Sequence, residues 1–448
     1  MSDSLWIKNP LAIFANNADG GIVVKDGLIH ELVPAGGIPD AEIVFDASEH
    51  VILPGLINTH HHFYQTLTRA YGPALNCELF DWLKTLYPVW AKLTPEMLSV
   101  ATELALTELL LSGCTTSTDH HYVFPGGLEN GIDIQVEAAQ KVGMRVLLTR
   151  GSMDLSVKDG GLPPQEVVQD ADTILADSAR LIDTYHDGAP GAFVQIALAP
   201  CSPFSVTREV MAGSAELARD RDVLLHTHLA ETNDENSFCK ETFGMRPLDY
   251  LEDCGWLDSR VWLAHGIHFT DGEMERMAAA GVGISSCPHS NMTLASGICP
   301  ACDMDKKGMA VGVGVDGSAS NDASNMIEEV RQMLLLQRLR YGSANVSHND
   351  AIRWASEGSA DCIGRRDLGK IEVGRRADLA LFKLDELRHS GHHDPLAALV
   401  LCGHHRVDYV MIEGQWRVEK GQISGLDPSR LIARHSEAAR QLGGLADA

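Results

Sequence analysis

The sequence is short of basic residues. Lysine and arginine together number 36, against 61 aspartates and glutamates, so the formal net charge is -25 at pH 7 and the pI is near 5.1. Proteins that bind nucleic acids or anionic membrane surfaces need clusters of positive charge to meet phosphate groups. The scarcity of such charge predicts that neither is a partner and that the chain acts on a small molecule.

Long apolar runs and a regular cysteine framework are also missing. The apolar stretch at 105–111 is short and is interrupted by Glu108, so no membrane span is predicted. The N-terminal MSDSLWIKNP has no basic segment followed by an apolar one, which argues against a signal peptide. Ten scattered cysteines, with the close pair Cys299 and Cys302 interpreted as incidental, indicate reduced thiols. These features together predict a cytoplasmic protein.

What the chain does contain is a repeated alternation of short apolar runs and longer amphipathic segments. This alternation is typical of parallel strands joined by crossover helices. Strands are predicted at 51–58, 115–119, 146–149, 193–199, 223–227, 261–264, 282–286 and 311–315, and helices at 97–111, 132–141, 167–185, 206–219, 273–280 and 327–341. The pattern predicts an α/β fold, a (β/α)₈ TIM barrel whose active site lies at the C-terminal ends of the strands.

The two ends of the chain have a different character. Short β-like pieces between residues 5 and 52 are separated by Gly, Pro and Asp turns, and residues 377–384 and 407–418 resemble them. The N-terminal pieces are interpreted as a small antiparallel sheet that is too short to be stable alone. The ends are therefore predicted to form a small discontinuous β-sandwich from residues 1–53 and 373–448, the second part including a C-terminal helical tail. Residues 54–372 are predicted to form the barrel.

Histidines and acidic residues cluster at the predicted strand ends. The segment VILPGLINTHHHFYQT, residues 51–66, contains three consecutive histidines. Alternate side chains of an extended strand face the same way, so His60 and His62 are expected to converge while His61 faces elsewhere. The other strand ends carry Asp119, His120, His121, Cys201, His226, His228, His265 and Asp316. A random scatter of polar groups would not follow strand ends so consistently, so the set predicts a catalytic site.

Three imidazoles and one carboxylate suit a borderline divalent ion, and such an ion can activate a bound water molecule as a nucleophile near neutral pH. The predicted ligands are His60, His62, His228 and Asp316. One metal ion is expected, most simply Zn²⁺, with Fe²⁺ and Mn²⁺ as alternatives.

The sequence HLAE favours His228 over His226 as the ligand, because it places Glu231 on the loop directly after His228. Glu231 is predicted to shuttle a proton from the water molecule to the substrate. Asp316 is expected to accept a hydrogen bond from the nucleophile in addition to binding the metal. His265, in LAHGIH, is predicted to orient or polarise the attacked centre.

The segments PGLINTHHH, HTHLAE, LAHGIH and VGVDGSASND resemble the amidohydrolase superfamily, in particular its cytosine deaminase and chlorohydrolase branch. The resemblance spans nearly the whole chain, including the C-terminal GKIEVGRRADLALF. It implies a distorted barrel, hydrolytic removal of a group from a nitrogen heterocycle, and a homo-oligomer. Because Ala199, Pro200 and Cys201 stand where binuclear members carry a bridging lysine, the resemblance also implies a single metal.

The segments TDHHYVFP, HHHFYQTLTR and LFDWLKTLYPVW resemble the 8-oxoguanine deaminases of this branch. Adenosine-type deaminases of the branch carry a histidine where this chain has Cys201 in PCSP, which counts against a nucleoside. An oxygenated purine base is therefore expected, most simply 8-oxoguanine attacked at C2 to give urate and ammonia. The residues predicted to contact its ring are Gln65, Trp82, His121, Tyr122 and Cys201.

Two alternatives stay open at this stage. The same residues would serve a deaminase or dechlorinase of another heterocycle, such as guanine, isoxanthopterin or an s-triazine. A barrel that binds metal without catalysis is the alternative from a different class, and the presence of Glu231 beside a full ligand set argues against it.

Overall fold

The structure, a computed structural model, describes residues 4–444. Its strands are β1 (Leu5–Lys8), β2 (Ala12–Ile13), β3 (Gly21–Lys25), β4 (Leu28–Val33), β5 (Ile43–Asp46), β6 (His50–Pro54), β7 (Leu56–Asn58), β8 (Cys114–His121), β9 (Arg145–Ser152), β10 (Val194–Pro200), β11 (Leu225–Leu229), β12 (Val261–His265), β13 (Gly283–Ser286), β14 (Val311–Val313), β15 (Leu379–Lys383), β16 (Tyr409–Ile412), β17 (Gln415–Glu419) and β18 (Gln422–Ile423).

The α-helices are α1 (Leu79–Trp90), α2 (Pro95–Leu111), α3 (Gly131–Val142), α4 (Ala171–Tyr185), α5 (Arg208–Arg221), α6 (Asn233–Phe243), α7 (Pro247–Asp253), α8 (Asp271–Ala280), α9 (Pro288–Thr293), α10 (Ala301–Lys306), α11 (Met326–Tyr341), α12 (His348–Arg353), α13 (Ser359–Cys362), α14 (Pro395–Leu401) and α15 (Pro428–Gly443). None of the helices within residues 4–444 is both long enough and apolar enough to cross a membrane.

Strands β7 to β14 close into a barrel of eight parallel strands, which confirms the predicted TIM-barrel fold. Strand β8 is buried along its whole length, as expected when helices cover the outer face of a parallel barrel. Local capping fixes where several of those helices begin. Thr207 accepts the N–H of Val210 at the start of α5, and Thr270 and Glu273 form a reciprocal capping box at the start of α8.

The first predicted strand, at 51–58, is wrong as a single element. It divides into β6, which pairs with β15 of an outer sheet, and β7, which belongs to the barrel. The division falls at Gly55, where a Cβ would lie 2.2 Å from the Thr115 hydroxyl oxygen, so only glycine lets the two strands meet here. An apolar run can thus change sheets without any change in composition.

The outer sheets join both ends of the chain. One contains β4, β3, β1 and β5, and the other runs β18, β17, β16, β15, β6 and β2. The predicted antiparallel N-terminal sheet is only partly right, because β1 pairs with β5 in parallel. The domain limits at 53/54 and 372/373 remain a prediction.

Candidate active site

The candidate catalytic side chains lie at the C-terminal ends of the barrel strands. His60 and His62 follow β7, His228 lies on β11, His265 ends β12, and Asp316 lies three residues beyond β14. His265 and Asp316 have φ angles of +70° and +63°. Residues other than glycine rarely adopt this left-handed backbone conformation. Where they do, they cluster at functional sites, at which the backbone fixes the orientation of a side chain.

Backbone carbonyls fix the protonation of two of the imidazoles. The Nδ1 atom of His62 lies 2.7 Å from the carbonyl oxygen of His120, and Nδ1 of His228 lies 2.7 Å from that of Cys201. Because a carbonyl oxygen can only accept a hydrogen bond, both Nδ1 atoms must carry the proton. The Nε2 atom of each neutral ring is therefore left with a free lone pair. This is the tautomer that ligates a metal ion through Nε2.

These lone pairs converge on one point. The Nε2 atoms of His62 and His228 are 3.2 Å apart, and the Nε2 atoms of His62 and His60 lie 3.3 and 3.4 Å from Oδ1 of Asp316. All four side chains are buried. Four acceptors facing one another in a dry site repel unless a cation lies among them.

The charge states of these groups also suit a divalent cation. Burial lowers the pKa of His60 well below its usual value and that of His228 to about 3, so both rings are neutral. Burial opposes ionisation of Asp316, but the imidazoles of His60 and His62 that face it, with His265 nearby, outweigh burial and hold its pKa well below the ordinary range. Neutral imidazoles and an anionic carboxylate are the forms that bind zinc.

His120 lies against this group as a further buried imidazole. Each of His60, His62, His120 and His228 has a ring nitrogen that could ligate a metal ion, and these four nitrogens lie within 4.8 Å of one another. The His120 ring stacks on that of His228 at a centroid distance of 4.8 Å, and its Nε2 donates to the carbonyl of Ala199 at 2.8 Å. This hydrogen bond directs one ring nitrogen towards β10, at the wall of the barrel.

Glu231 and His265 lie beside the converging ligands. Oε2 of Glu231 is 3.5 Å from Nε2 of His265, which in turn lies 3.8 Å from Oδ2 of Asp316. Burial raises the pKa of Glu231 above its usual value. Burial alone would lower the pKa of His265, but the carboxylates of Glu231 and Asp316 outweigh it and raise that pKa. A carboxylate with a raised pKa next to the ligands is suited to taking up and releasing a proton.

A second glutamate holds the loop that carries Glu231. The carboxylate of Glu235 accepts the backbone N–H groups of Ala230 and Glu231 at 3.0 and 3.1 Å. Burial raises the pKa of Glu235 to about 8. Ala230 has a φ of +53°, so these two hydrogen bonds stabilise a strained turn and fix the backbone of Glu231.

A cavity opens above the converging ligands. Its walls include most of the predicted site residues, namely His62, Gln65, Trp82, Tyr122, Cys201, His228, Glu231, His265 and Asp316. His60 is fully buried beneath them. Burial raises the pKa of the Cys201 thiol to about 12, so Cys201 offers an apolar thiol rather than a charge.

The chain matches the model of the amidohydrolase family over residues 51–417. The chain belongs to the amidohydrolase family. It is 62% identical to an 8-oxoguanine deaminase of Pseudomonas aeruginosa, over 98% of each chain. It is 36% identical to a hydroxydechloroatrazine ethylaminohydrolase of Pseudomonas sp. strain ADP, over 92% of this chain and 88% of the relative. The structure resembles atrazine chlorohydrolase from Arthrobacter aurescens TC1 complexed with zinc, with a TM-score of 0.92, 31% identity, and coverage of 97% and 100% of the two chains.

In this amidohydrolase one residue predicted to contact the substrate lies away from the cavity. His121 does not line the cavity. Its ring packs against those of Tyr64 and Phe124, at centroid distances of 5.4 and 4.8 Å, on the outer side of the barrel wall. Alternation along β8 is the physical reason, because the preceding His120 faces the ligands and the following Tyr122 faces the cavity.

Several wall residues lie outside the predicted set. They are Leu79, Leu83, Tyr87, Phe204, Leu294 and Ser320. Tyr87 is the most polar of the aromatic additions, and its hydroxyl has no well-formed hydrogen-bond partner among the described residues. Helical spacing could have indicated it, since Leu79, Leu83 and Tyr87 recur every four residues on one face of α1.

Proposed function

We propose that this amidohydrolase removes an amino group from an oxygenated purine base by hydrolysis, and that the base is 8-oxoguanine. The main support is its 62% identity, over 98% of both chains, to a protein named 8-oxoguanine deaminase. The cavity above the proposed ligands is lined by aromatic and aliphatic side chains with a few polar groups, which is the composition expected of a site for a small planar ligand. The products are urate and ammonia.

The proposed metal ligands are His60, His62, His228 and Asp316, and the proposed ion is Zn²⁺. The support is chemical, because three imidazoles direct their Nε2 atoms towards one another beside one carboxylate, and the related chlorohydrolase structure contains zinc. Fe²⁺ and Mn²⁺ accept the same donors and are the alternatives. When bound, such an ion supplies Lewis acidity that lowers the pKa of water to near neutrality.

The chain's own residues then move the protons. Glu231 takes a proton from the attacking water molecule, the water oxygen forms a bond to C2 of the purine, and Glu231 returns the proton to a ring nitrogen. Glu231 next takes the proton of the new C2 hydroxyl group and gives it to the exocyclic nitrogen. The bond from C2 to that nitrogen breaks, so the amine departs as ammonia and C2 keeps a carbonyl oxygen. His265 is held by Asn291, whose Oδ1 lies 3.0 Å from Nδ1, so its Nε2 faces Glu231 and the attacked centre. Asp316 orients the water molecule.

The wall of the cavity is proposed to recognise the ring. Neither amide atom of Gln65 has a well-formed hydrogen bond within residues 4–444, although the amide is buried. Its side chain lies over Gly317, where a Cβ would stand 1.9 Å from Oε1, so the absence of a side chain at 317 makes room for it. A side-chain amide, with one donor and one acceptor side, suits the adjacent N–H and C=O groups of an oxygenated purine. Trp82, Tyr122 and Cys201 are proposed to contact the ring faces and edges.

The experiment that tests this function is a substrate panel. Zinc-loaded protein is incubated with 8-oxoguanine, guanine, isoxanthopterin and an s-triazine, and ultraviolet absorbance and ammonia release are followed. The expected result is conversion of 8-oxoguanine with the highest kcat/KM. Relatives named for isoxanthopterin and for a triazine compound, at 34% and 36% identity, make those rings the alternatives. If the protein converted another heterocycle and left 8-oxoguanine unchanged, the assignment of the substrate would be wrong. The assignment of the site to hydrolysis would be unaffected. A zinc-loaded protein inert towards all four would favour a non-catalytic barrel.

We further propose that the protein is a cytoplasmic homo-oligomer. The support is the family resemblance and the acidic, reduced-thiol composition of the chain. Light scattering coupled to gel filtration measures the oligomeric state directly.

A further inference from the structure

His226 lies on β11 beneath the candidate metal ligands and has no part in the chemistry proposed above. It is 1% exposed. Its Nδ1 lies 2.8 Å from the carbonyl oxygen of Trp262, and its Nε2 lies 2.8 Å from Nδ1 of His60. Its ring also stacks on Trp262, with a centroid distance of 4.3 Å and an interplanar angle of 16°. Both nitrogens of this buried ring are therefore engaged.

The proton positions along this chain follow from the carbonyl at its end. The Trp262 carbonyl can only accept, so Nδ1 of His226 carries a proton. The ring is buried and stacked on Trp262, where an uncompensated charge is costly, so it is neutral and its Nε2 is an acceptor. His60 must therefore donate from Nδ1, which leaves its Nε2 without a proton.

The opposite tautomer of His60 has a partner of its own. Oδ1 of Asp316 lies 3.4 Å from Nε2 of His60, where an N–H on that nitrogen would be attracted to the carboxylate. A nitrogen that carries a proton cannot ligate a metal ion. The acceptor on His226 opposes this arrangement, because the alternative tautomer would leave two lone pairs facing each other across 2.8 Å.

His60 differs in this respect from the other two imidazoles. His62 and His228 are held by backbone carbonyls, whose acceptor character no substitution changes. His60 is held by a side chain, so its tautomer depends on the residue at position 226. The influence of a side-chain partner on metal binding can therefore be measured at this ligand by a single substitution.

We propose that His226 is a positioning residue that fixes the metal-binding tautomer of His60 and thereby sets the affinity of the site for a divalent metal ion. The inference rests on the proposed role of the site in binding metal, and it is independent of which heterocycle is the substrate. Partners of this kind behind a metal ligand typically change metal affinity by about 10- to 100-fold.

The test is zinc affinity, measured by competition with a chromophoric chelator in the absence of substrate. His226→Phe keeps an aromatic ring against Trp262 and removes the acceptor, so zinc should bind about 10- to 100-fold more weakly. His226→Gln can present its side-chain carbonyl oxygen to Nδ1 of His60 and should recover part of the loss. His121→Phe is the matched control, because His121 is a buried histidine on β8 whose ring packs against Tyr64 and Phe124, and this variant should bind zinc as the unchanged protein does.

Wild-type affinity in His226→Phe would overturn the proposal, and so would equal weakening in the Phe and Gln variants, because the acceptor would then be irrelevant. Thermal unfolding of the metal-free proteins reports whether each variant folds. If His226→Phe does not fold, ¹⁵N NMR of histidine-labelled, metal-free wild-type protein decides, with the His60 signals assigned by His60→Gln. A protonated Nδ1 at His60 supports the proposal, and a protonated Nε2 overturns it. Because no assay uses a purine, failure of the substrate assignment leaves these results unaffected.

Discussion

The floor and the wall of the cavity differ in how their polar atoms are hydrogen-bonded. The floor, defined as His60, His62, His228 and Asp316, has its outer imidazole nitrogens hydrogen-bonded by the protein, so its inner lone pairs are aimed at one point.

The wall, defined as Gln65, Trp82, Tyr87 and Tyr122, includes buried polar groups without a well-formed hydrogen bond to the described part of the chain, namely the amide of Gln65 and the hydroxyl of Tyr87. Buried polar groups without partners are uncommon in folded proteins and cost free energy. This difference agrees with the proposed roles, in which the floor binds a metal ion and the wall contacts the ring of the substrate.

The largest effect is expected from disabling the floor. Asp316→Asn removes the anionic member of the ligand set, and a chelator removes the metal itself. Each should lower kcat by about 10⁴-fold or more, because a bound metal contributes several kcal/mol to the transition state. Added zinc should restore the chelated wild-type protein and should fail to restore Asp316→Asn. Full activity in exhaustively chelated protein, with metal content checked by elemental analysis, would show that the floor does not serve catalysis.

Glu231 stands between floor and wall, and its loss should separate metal binding from chemistry. Glu231→Gln keeps the shape of the side chain and its contact with Ser296, whose hydroxyl lies 3.3 Å from Oε1, but it cannot take up a proton. Turnover of 8-oxoguanine should fall by about 10²- to 10⁴-fold while one zinc ion per chain is retained. Unchanged turnover in the Gln variant would remove Glu231 from the mechanism, and loss of zinc would place Glu231 in the floor instead.

Substitution in the wall should give a smaller loss of a different kind. Gln65→Leu removes the side-chain amide, so the transition state for 8-oxoguanine should lose about 1–3 kcal/mol of stabilisation. The value of kcat/KM should then fall by roughly 5- to 150-fold, and zinc affinity should be unchanged. The same change removes a buried polar group from the free protein, so the free energy of unfolding should rise, by about 1 kcal/mol. Thermal melting and steady-state kinetics on one preparation measure both. A variant that loses stability together with zinc would assign Gln65 to the floor.

The sequence predicted the floor better than the wall for a physical reason. Strand periodicity and the rule that barrel active sites lie at strand ends depend on local pattern. They predicted one shared site for His60, His62, His228, Glu231 and Asp316, and the structure places these side chains close together. The wall depends on non-local packing. Tyr87 lies on a helix in a gap where none was predicted, and it reaches the cavity only because α1 folds over the barrel mouth.

Other features could not be predicted from the sequence because they depend on contacts with residues far away along the chain. The division of residues 51–58 between two sheets depends on hydrogen bonds to β15 and β8, which no local pattern reports. The orientation of His226 likewise depends on the carbonyl of Trp262, on the next barrel strand. In both cases the local residues allow several structures, and remote contacts select one.

The smallest effect on activity is expected from substitution of His121. This substitution tests where the wall of the cavity ends. His121 and Tyr122 are adjacent, yet only Tyr122 lines the cavity, since neighbouring side chains on an extended backbone face opposite ways. His121→Phe should change kcat/KM by less than about threefold, or roughly 0.65 kcal/mol. Stability should be unchanged or higher, because the ring lies among Tyr64, Phe124 and Gly131 without a well-formed hydrogen bond to any described residue. A large loss of kcat/KM in His121→Phe, without loss of stability, would mean that the wall extends behind β8 and that substrate recognition reaches through Tyr64.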